Sequence, residues 1–485
     1  MPRRRASGPS PDNRKERNMV SPEPKTTIDG LIGKARTAMA QFANATQAQA
    51  DEAVTALAWA IYEPGRAREL AEMAVAQTGL GDVDSKIVKN QRKTFGCLRD
   101  LSRVRSVGVI EDDPKKGMVK YAKPVGVVAA VTPSTNPTAT PVNKAMFALK
   151  SRNAVIIAPS PSGWGATSAA VDFMRAQLEK CGYPADLVQI LPQPVNKALT
   201  QELMEQADLV VVTGSQNNVR RAYSSGTPAI GVGAGNVPVV IDASADLDDA
   251  AAKICRSKTF DNATSCSSEN SVLIHESVYD DAIAALRRAG GHLCTSDEKA
   301  RIRERLWSDG KLNRQVIAKD AETLRHIFEL GPEARDARFF MVEEDRPDPD
   351  SPFTDEKLSL VLTVYRVRDI EDAKAQLNTI LDVCGKGHSV GIHTATPAHA
   401  EDLAESIDVV RVLVNQAHTM GNGGSFDNAL EFTLSMGGGT WAGNSITENL
   451  NARHFMNITH LVRTIPLDQP GEEHLFGEYW QMHGK

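Results

Sequence analysis

Residues 125–158 read VGVVAAVTPSTNPTATPVNKAMFALKSRNAVIIA. The run 125–131 is continuously apolar between flanking prolines, too short for a helix and suited to a strand buried on both faces. It ends in Thr132-Pro133-Ser134-Thr135-Asn136-Pro137, helical spacing resumes over 138–149, and 154–158 is a second buried strand. The alternation continues through a loop at 159–165, a helix at 166–181, a strand at 188–191, a helix at 197–206 and a strand at 208–212. Strand and helix in this order predict a doubly wound parallel sheet, with its ligand site beyond the carboxyl ends of the strands.

Upstream, apolar residues recur at helical spacing over 28–43, 46–76 and 82–101, with Pro64-Gly65 breaking the second block. Residues 104–121 read as a projecting hairpin. Downstream, Thr213-Gly214-Ser215 opens a helix at 216–223, and the free N–H groups of such a start suit a phosphate. Gly231, Gly233 and Gly235 precede a strand at 237–241 rather than follow one, so they do not form a dinucleotide fingerprint. A helix at 247–258 leads into the stretch 258–270, and a strand resumes at 271–274. A second α/β series begins near Val316, with strands at 360–365, 389–392 and 409–414 and a helix at 371–377. The Gly-, Asn- and Ser-rich segment 418–445 is long enough to indicate function. A β-prone run at 458–465 and an aromatic tail at 476–480 suggest a subunit contact.

The chain has 485 residues, 41% hydrophobic and 24% charged, with a net charge of −6. Two or three domains fit this length, and the charge argues against nucleic acid as a partner. No apolar run is long enough to span a membrane. Cysteines at 97, 181, 255, 266, 294 and 384 show no CxxC pair and no metal-ligand spacing, which fits reduced thiols in the cytoplasm and no metal. Residues 1–27 are polar and basic, lack an apolar signal region and are expected to be disordered; Met19 is an alternative start.

Cys266 stands among Thr264, Ser265, Ser267 and Ser268. A structural cysteine normally has aliphatic neighbours. This one reads as presented in a cleft, where amides and a helix terminus lower its pKa toward thiolate.

The motifs at 132–138, 213–215, 224–238, Cys266, Glu356-Lys357-Leu358-Ser359, Gly385-Lys386-Gly387-His388-Ser389 and Trp441-Ala442-Gly443-Asn444-Ser445, in this order, resemble the CoA-acylating branch of the aldehyde dehydrogenase superfamily. The resemblance runs from about residue 28 to the end. It implies an α/β fold of two doubly wound parallel-sheet domains with a hairpin and C-terminal oligomerisation element. Residues 28–254 would bind the cofactor, 255–430 would carry the thiol, and 431–485 would return to the first domain and form the tail of a homodimer or homotetramer. Cys266 would be the nucleophile, Asn136 the oxyanion donor and His388 an aid to CoA or to the leaving thiolate. Thr132, Pro133, Ser134, Ser160, Ser162, Thr213, Gly214, Ser215, Gly233, Gly235 and Glu356 would bind NAD or NADP, Glu356 at the nicotinamide ribose.

Hydrolytic members place a glutamate base in the motif Glu-Leu-Gly-Gly-Lys. Here residues 231–236 carry no carboxylate. CoA, whose thiol needs no such base, is the expected acceptor. No Asp or Glu follows the second strand at 158–163, so NADP is tolerated, and Ser160 or Ser162 could bond its phosphate. Polar Thr264, Ser265 and Ser267 around the thiol indicate a polar aldehyde. Residues 426–428, 437–441 and 449–457 look most like those members of the branch that act on sulfoacetaldehyde. His418, Arg453 and His454 are then candidate partners of the sulfonate. Acetaldehyde or propionaldehyde with CoA, hydrolytic oxidation or acyl-phosphate reduction, and a non-catalytic scaffold are the competing readings.

Overall fold

The computed structural model describes residues 23–485, so residues 1–22 of the expected extension lie outside the described residues. The end of that extension is helical rather than disordered. Pro24–Phe42 is the first helix, with Pro24 at its first position, where a missing N–H costs no intrahelical bond. Gln47–Tyr62 starts from a capping box between Thr46 and Gln49, Pro64 restarts the chain as Pro64–Thr78, and the Asp82 carboxylate caps Val83–Leu101 by accepting from the Ser85 N–H.

The first parallel sheet has the spatial order Val188–Ile190, Ala154–Pro159, Val127–Thr132, Leu209–Thr213, Ala229–Val232. The chain starts at the centre and winds outward in both directions, so its central strands are buried along their whole length. The edge strand Ala229–Val232 was not expected, because a segment carrying Gly231 shows no apolar run. Gly231 belongs there for packing: a Cβ on it would lie 2.6 Å from Val219 Cγ1, on the helix Gln216–Tyr223 that covers this strand. Gly233 and Gly235 therefore do follow a strand. No helix opens after them, and the fingerprint still fails.

Residues 233–236 carry the chain straight into a second parallel sheet. Its order is Gly291–Leu293, Phe339–Glu343, Val361–Val367, Glu269–His275, Val237–Ile241, Val390–His393, Val412–Val414. A third, antiparallel sheet joins Gly108–Asp113, Met118–Pro124 and Met456–Val462. The hairpin and the C-terminal strand are thus one element, which extends past residue 121 because Met118–Pro124 pairs with Met456–Val462 from end to end. The helix Glu472–His483 follows.

One apolar core surrounds the first sheet and takes in Phe432, Leu450, Ala452 and Phe455 from the far end of the chain. Two others lie against the second sheet. Among the described residues no helix is long and apolar enough to cross a membrane.

Candidate active site

Cys266 sits between the helix Leu247–Thr259, the short turn Phe260–Ala263 and the strand Glu269–His275. In that turn Asp261, Asn262 and Ala263 have φ of 51°, 50° and 59°, a left-handed run that costs about 1–3 kcal/mol per residue. Asp261 offsets it. Its carboxylate accepts from the Asp82 N–H (2.9 Å), Lys86 Nζ (3.1 Å), Thr264 Oγ1 (2.7 Å) and Lys89 Nζ. Lys89 also donates to Asn136 Oδ1 (3.0 Å) and Thr264 Oγ1 (2.9 Å). The helix Val83–Leu101 therefore positions the thiol loop and Asn136 together. With its carbonyl oxygen engaged by Lys89, Asn136 keeps its amide N–H groups free for a ligand. Asn136, Ser265 and Ser267 line one cleft.

The other side of the loop is built from close backbone approach. A Cβ on Gly235 would lie 2.5 Å from the Cys266 carbonyl oxygen and 2.9 Å from His388 Nε2, so only glycine allows this contact. His388 Nδ1 pairs with Ser389 Oγ (2.8 Å), and Ser389 Oγ with His418 Nε2 (2.8 Å). His388 Nε2 is buried without a partner. Arg411, also buried, donates to the His388 carbonyl (3.0 Å), the Gly437 carbonyl (2.7 Å) and Asn449 Oδ1 (3.0 Å).

Electrostatics corrects one expectation. Burial, and then Glu356, push the Cys266 thiol up to about 11, against the pull of Arg411, Ser267 and Lys89. The thiol opens a strand rather than a helix, so no helix dipole counters its burial. Burial and Asp355 raise Glu356 to about 8, against the Gly235 N–H, Lys258 and Lys357. Burial and the neighbouring Arg411 hold His388 neutral, well below the usual histidine range.

The expected cofactor residues other than Glu356, which leads into Val361–Val367 of the second sheet, lie at the carboxyl ends of the first sheet. Thr132, Pro133 and Ser134 follow its central strand, and the Ser160 and Ser162 hydroxyls lie 3.2 Å apart beyond the next one. Ser215 caps Gln216–Tyr223. Thr213 Oγ1 bonds Ser435 Oγ (2.6 Å), tying the Gly-rich segment to this edge. Pro161, Trp164, Gln193, Pro194 and Val195 line a hollow beside Ser162.

The expected sulfonate partners lie elsewhere. His418 stacks behind His388 as the end of its hydrogen-bonded chain. Arg453 is 63% exposed and pairs with Glu431 (3.3 Å), and His454 pairs with Glu448 (3.1 Å); neither lines the cleft. Thr264 is taken up by Lys89 and Asp261. The basic side chains that do line the cleft are Lys89, Arg92 and Lys93, all on a helix that the sequence analysis marked only by its helical spacing. Its signal was available. Lys86, Lys89 and Lys93 share a face by their spacing, and this face is buried while Val88 and Phe95 on the same helix are 43% and 51% exposed.

Residues 6–302 match the model of the aldehyde dehydrogenase family. The sulfoacetaldehyde dehydrogenase (acylating) of Cupriavidus necator is 52% identical over 459 residues, 94% of this chain and 93% of that protein. The Bilophila wadsworthia enzyme of the same description is 43% identical, covering 95% of this chain and 100% of its own. The crystal structure of an acetylating aldehyde dehydrogenase from Geobacillus thermoglucosidasius superposes with a TM-score of 0.88 at 33% identity, over 93% of this chain and 98% of that one.

Proposed function

The chain belongs to the aldehyde dehydrogenase family and is an oxidoreductase, and from that premise we propose that it interconverts sulfoacetaldehyde, CoA and NAD(P)+ with sulfoacetyl-CoA and NAD(P)H. The observation that carries the reading is the cleft itself: a thiol loop, the Asn136 amide and three basic side chains around one space. Relatives at 52% and 43% identity that act on sulfoacetaldehyde support it.

Cys266 attacks the aldehyde carbon, and the Asn136 amide and the Cys266 N–H hold the resulting oxyanion; such a donor contributes roughly 3–4 kcal/mol to lowering the barrier. The dinucleotide fits the residues present. Ser160 and Ser162 present hydroxyls without an acidic neighbour, beside a hollow lined by Pro161, Trp164, Gln193, Pro194 and Val195, and Ser215 caps Gln216–Tyr223, a helix start whose first N–H groups suit a phosphate. Held there, it would supply the hydride acceptor. Loss of that hydride from the thiohemiacetal carbon would leave a thioester on Cys266, which the CoA thiol attacks, forming acyl-CoA and releasing the Cys266 thiolate. His388 Nε2, neutral and unpartnered, takes the CoA proton.

Choice of CoA over water follows from Glu356. It is the carboxylate whose charge bears on the thiol, and at about 8 it is largely protonated at neutral pH. A protonated carboxyl cannot activate water. We further assign weak preference for NADP, a homodimer or homotetramer, and the cytoplasm, the last on six free cysteines.

Steady-state NADPH and NADH formation with sulfoacetaldehyde and with acetaldehyde, each with and without CoA, tests the reading. Turnover should require CoA and favour sulfoacetaldehyde. Equal rates without CoA would overturn the acylating mechanism, and preference for acetaldehyde would overturn the substrate.

A further inference from the structure

The cleft wall formed by Val83–Leu101 carries more positive charge than its surroundings neutralise. Lys89 spends its three N–H bonds on Asn136, Thr264 and Asp261, and Asp261 also receives Lys86. Lys93 is 8% exposed and donates to the Gly423 carbonyl at 2.7 Å. Arg92 donates to the Met420 carbonyl (3.3 Å) and Ser425 Oγ (2.9 Å), and its guanidinium lies over Phe432. Among the described residues no carboxylate stands within ion-pair distance of Lys93 or Arg92 and none lines the cleft, Asp427 acting on Arg92 from behind Ser425, from whose hydroxyl it accepts.

A buried cation that has lost its water without gaining an anion is costly. Burial lowers Lys93 to about 7, with Arg92 and Lys89 adding to the effect, while the nearby Cys266 acts to raise it. Lys93 also lines the same cleft as Ser265 and Ser267, the two neighbours of Cys266.

On the reading that the substrate is sulfoacetaldehyde, we propose that Lys93, with Arg92, is the sulfonate-binding end of the cleft and the determinant of specificity for a short anionic aldehyde. A sulfonate stays ionised at neutral pH and offers three acceptor oxygens, so it needs fixed donors and a positive charge. In a two-carbon substrate the anion and the carbonyl are adjacent. Its partner has to share the cleft with the Cys266 loop, and Lys93 lines that cleft together with Ser265 and Ser267 on either side of the thiol. Arg453 and His418 do not.

The test is the ratio of kcat/KM for sulfoacetaldehyde to that for propionaldehyde, in the wild-type protein and in Lys93→Met and Lys93→Arg. Lys93→Met should lower the ratio about 100-fold, mainly through KM for sulfoacetaldehyde, as expected for removal of one partner of a buried charge pair. Lys93→Arg should restore most of it. Ethanesulfonate should compete with propionaldehyde in the wild type and lose about 30-fold or more in affinity in Lys93→Met. A wild-type ratio of one or less would overturn the substrate reading and this inference with it. A high wild-type ratio that persists in Lys93→Met would overturn the inference alone. If Lys93→Met does not fold, Arg92→Gln is put to the same ratio, and an unchanged value would overturn the pairing with Arg92.

Discussion

Cys266 is stored as a thiol. At about 11, roughly one molecule in three thousand carries the thiolate at pH 7.5 in the unliganded protein. Alkylation by iodoacetamide without cofactor should therefore rise about tenfold per pH unit from 7 to 10. Glu356 titrates through about 8, and its negative charge then opposes thiolate formation. Glu356→Gln should accelerate alkylation above pH 8 and leave it alone below. A rate that levels off by pH 8 in the wild type would show that the thiol is not suppressed.

The helix Val83–Leu101 acts as an element because its buried stripe is polar. Asp82 N–H, Lys86 and Lys89 meet the Asp261 carboxylate, which is fully buried, and that meeting holds three left-handed residues just ahead of the thiol. Burial acts to raise Asp261, but Lys89 and Lys86 outweigh it and hold it low. The pair's contribution is thus present above the ordinary Asp pKa and is lost as the pH falls through the depressed value. Asp261→Ala leaves two buried ammonium groups unpaired and should cost about 3–5 kcal/mol in denaturant unfolding at pH 7. A loss below 1 kcal/mol would mean that the lysines find other partners. The same variant should reduce turnover, since Lys89 also orients Asn136.

At the scale of the molecule, the three-stranded sheet ends in Met456–Val462, paired on one side by Met118–Pro124 and, among the described residues, lacking a strand on the other. Beyond it Val462, Leu467, Leu475 and Met482 are 67%, 88%, 61% and 71% exposed. On the proposal of a homo-oligomer, an edge strand next to apolar side chains is where a second subunit would dock. The occupant argued here is a second copy of the chain. Light scattering at micromolar concentration should give two or four times the mass of one chain, and removal of residues 464–485 should lower it. A full-length monomer would refute the assignment.

Much of this was legible in local sequence. Apolar runs of strand length between turn residues located most strands along the chain, though not Gly291–Leu293 or Phe339–Glu343 and not the spatial order of either sheet; a cysteine among small polar neighbours pointed to a presented thiol, and the resemblance, with no carboxylate at 231–236, implied transfer to CoA. Such features depend on near neighbours and chain propensity, so the sequence alone determined them. The edge strand at Gly231 was not legible, because its stability comes from the helix packed on it. Nor was the pKa of Cys266, which depends on burial and on Glu356, brought to it by a different strand of the same sheet. The polar face of Val83–Leu101 was read as packing, since a buried lysine makes sense only beside Asp261, far along the chain, or beside an anion in the cleft. Tertiary structure decided these points because the energy of a buried charge is set by what surrounds it in space.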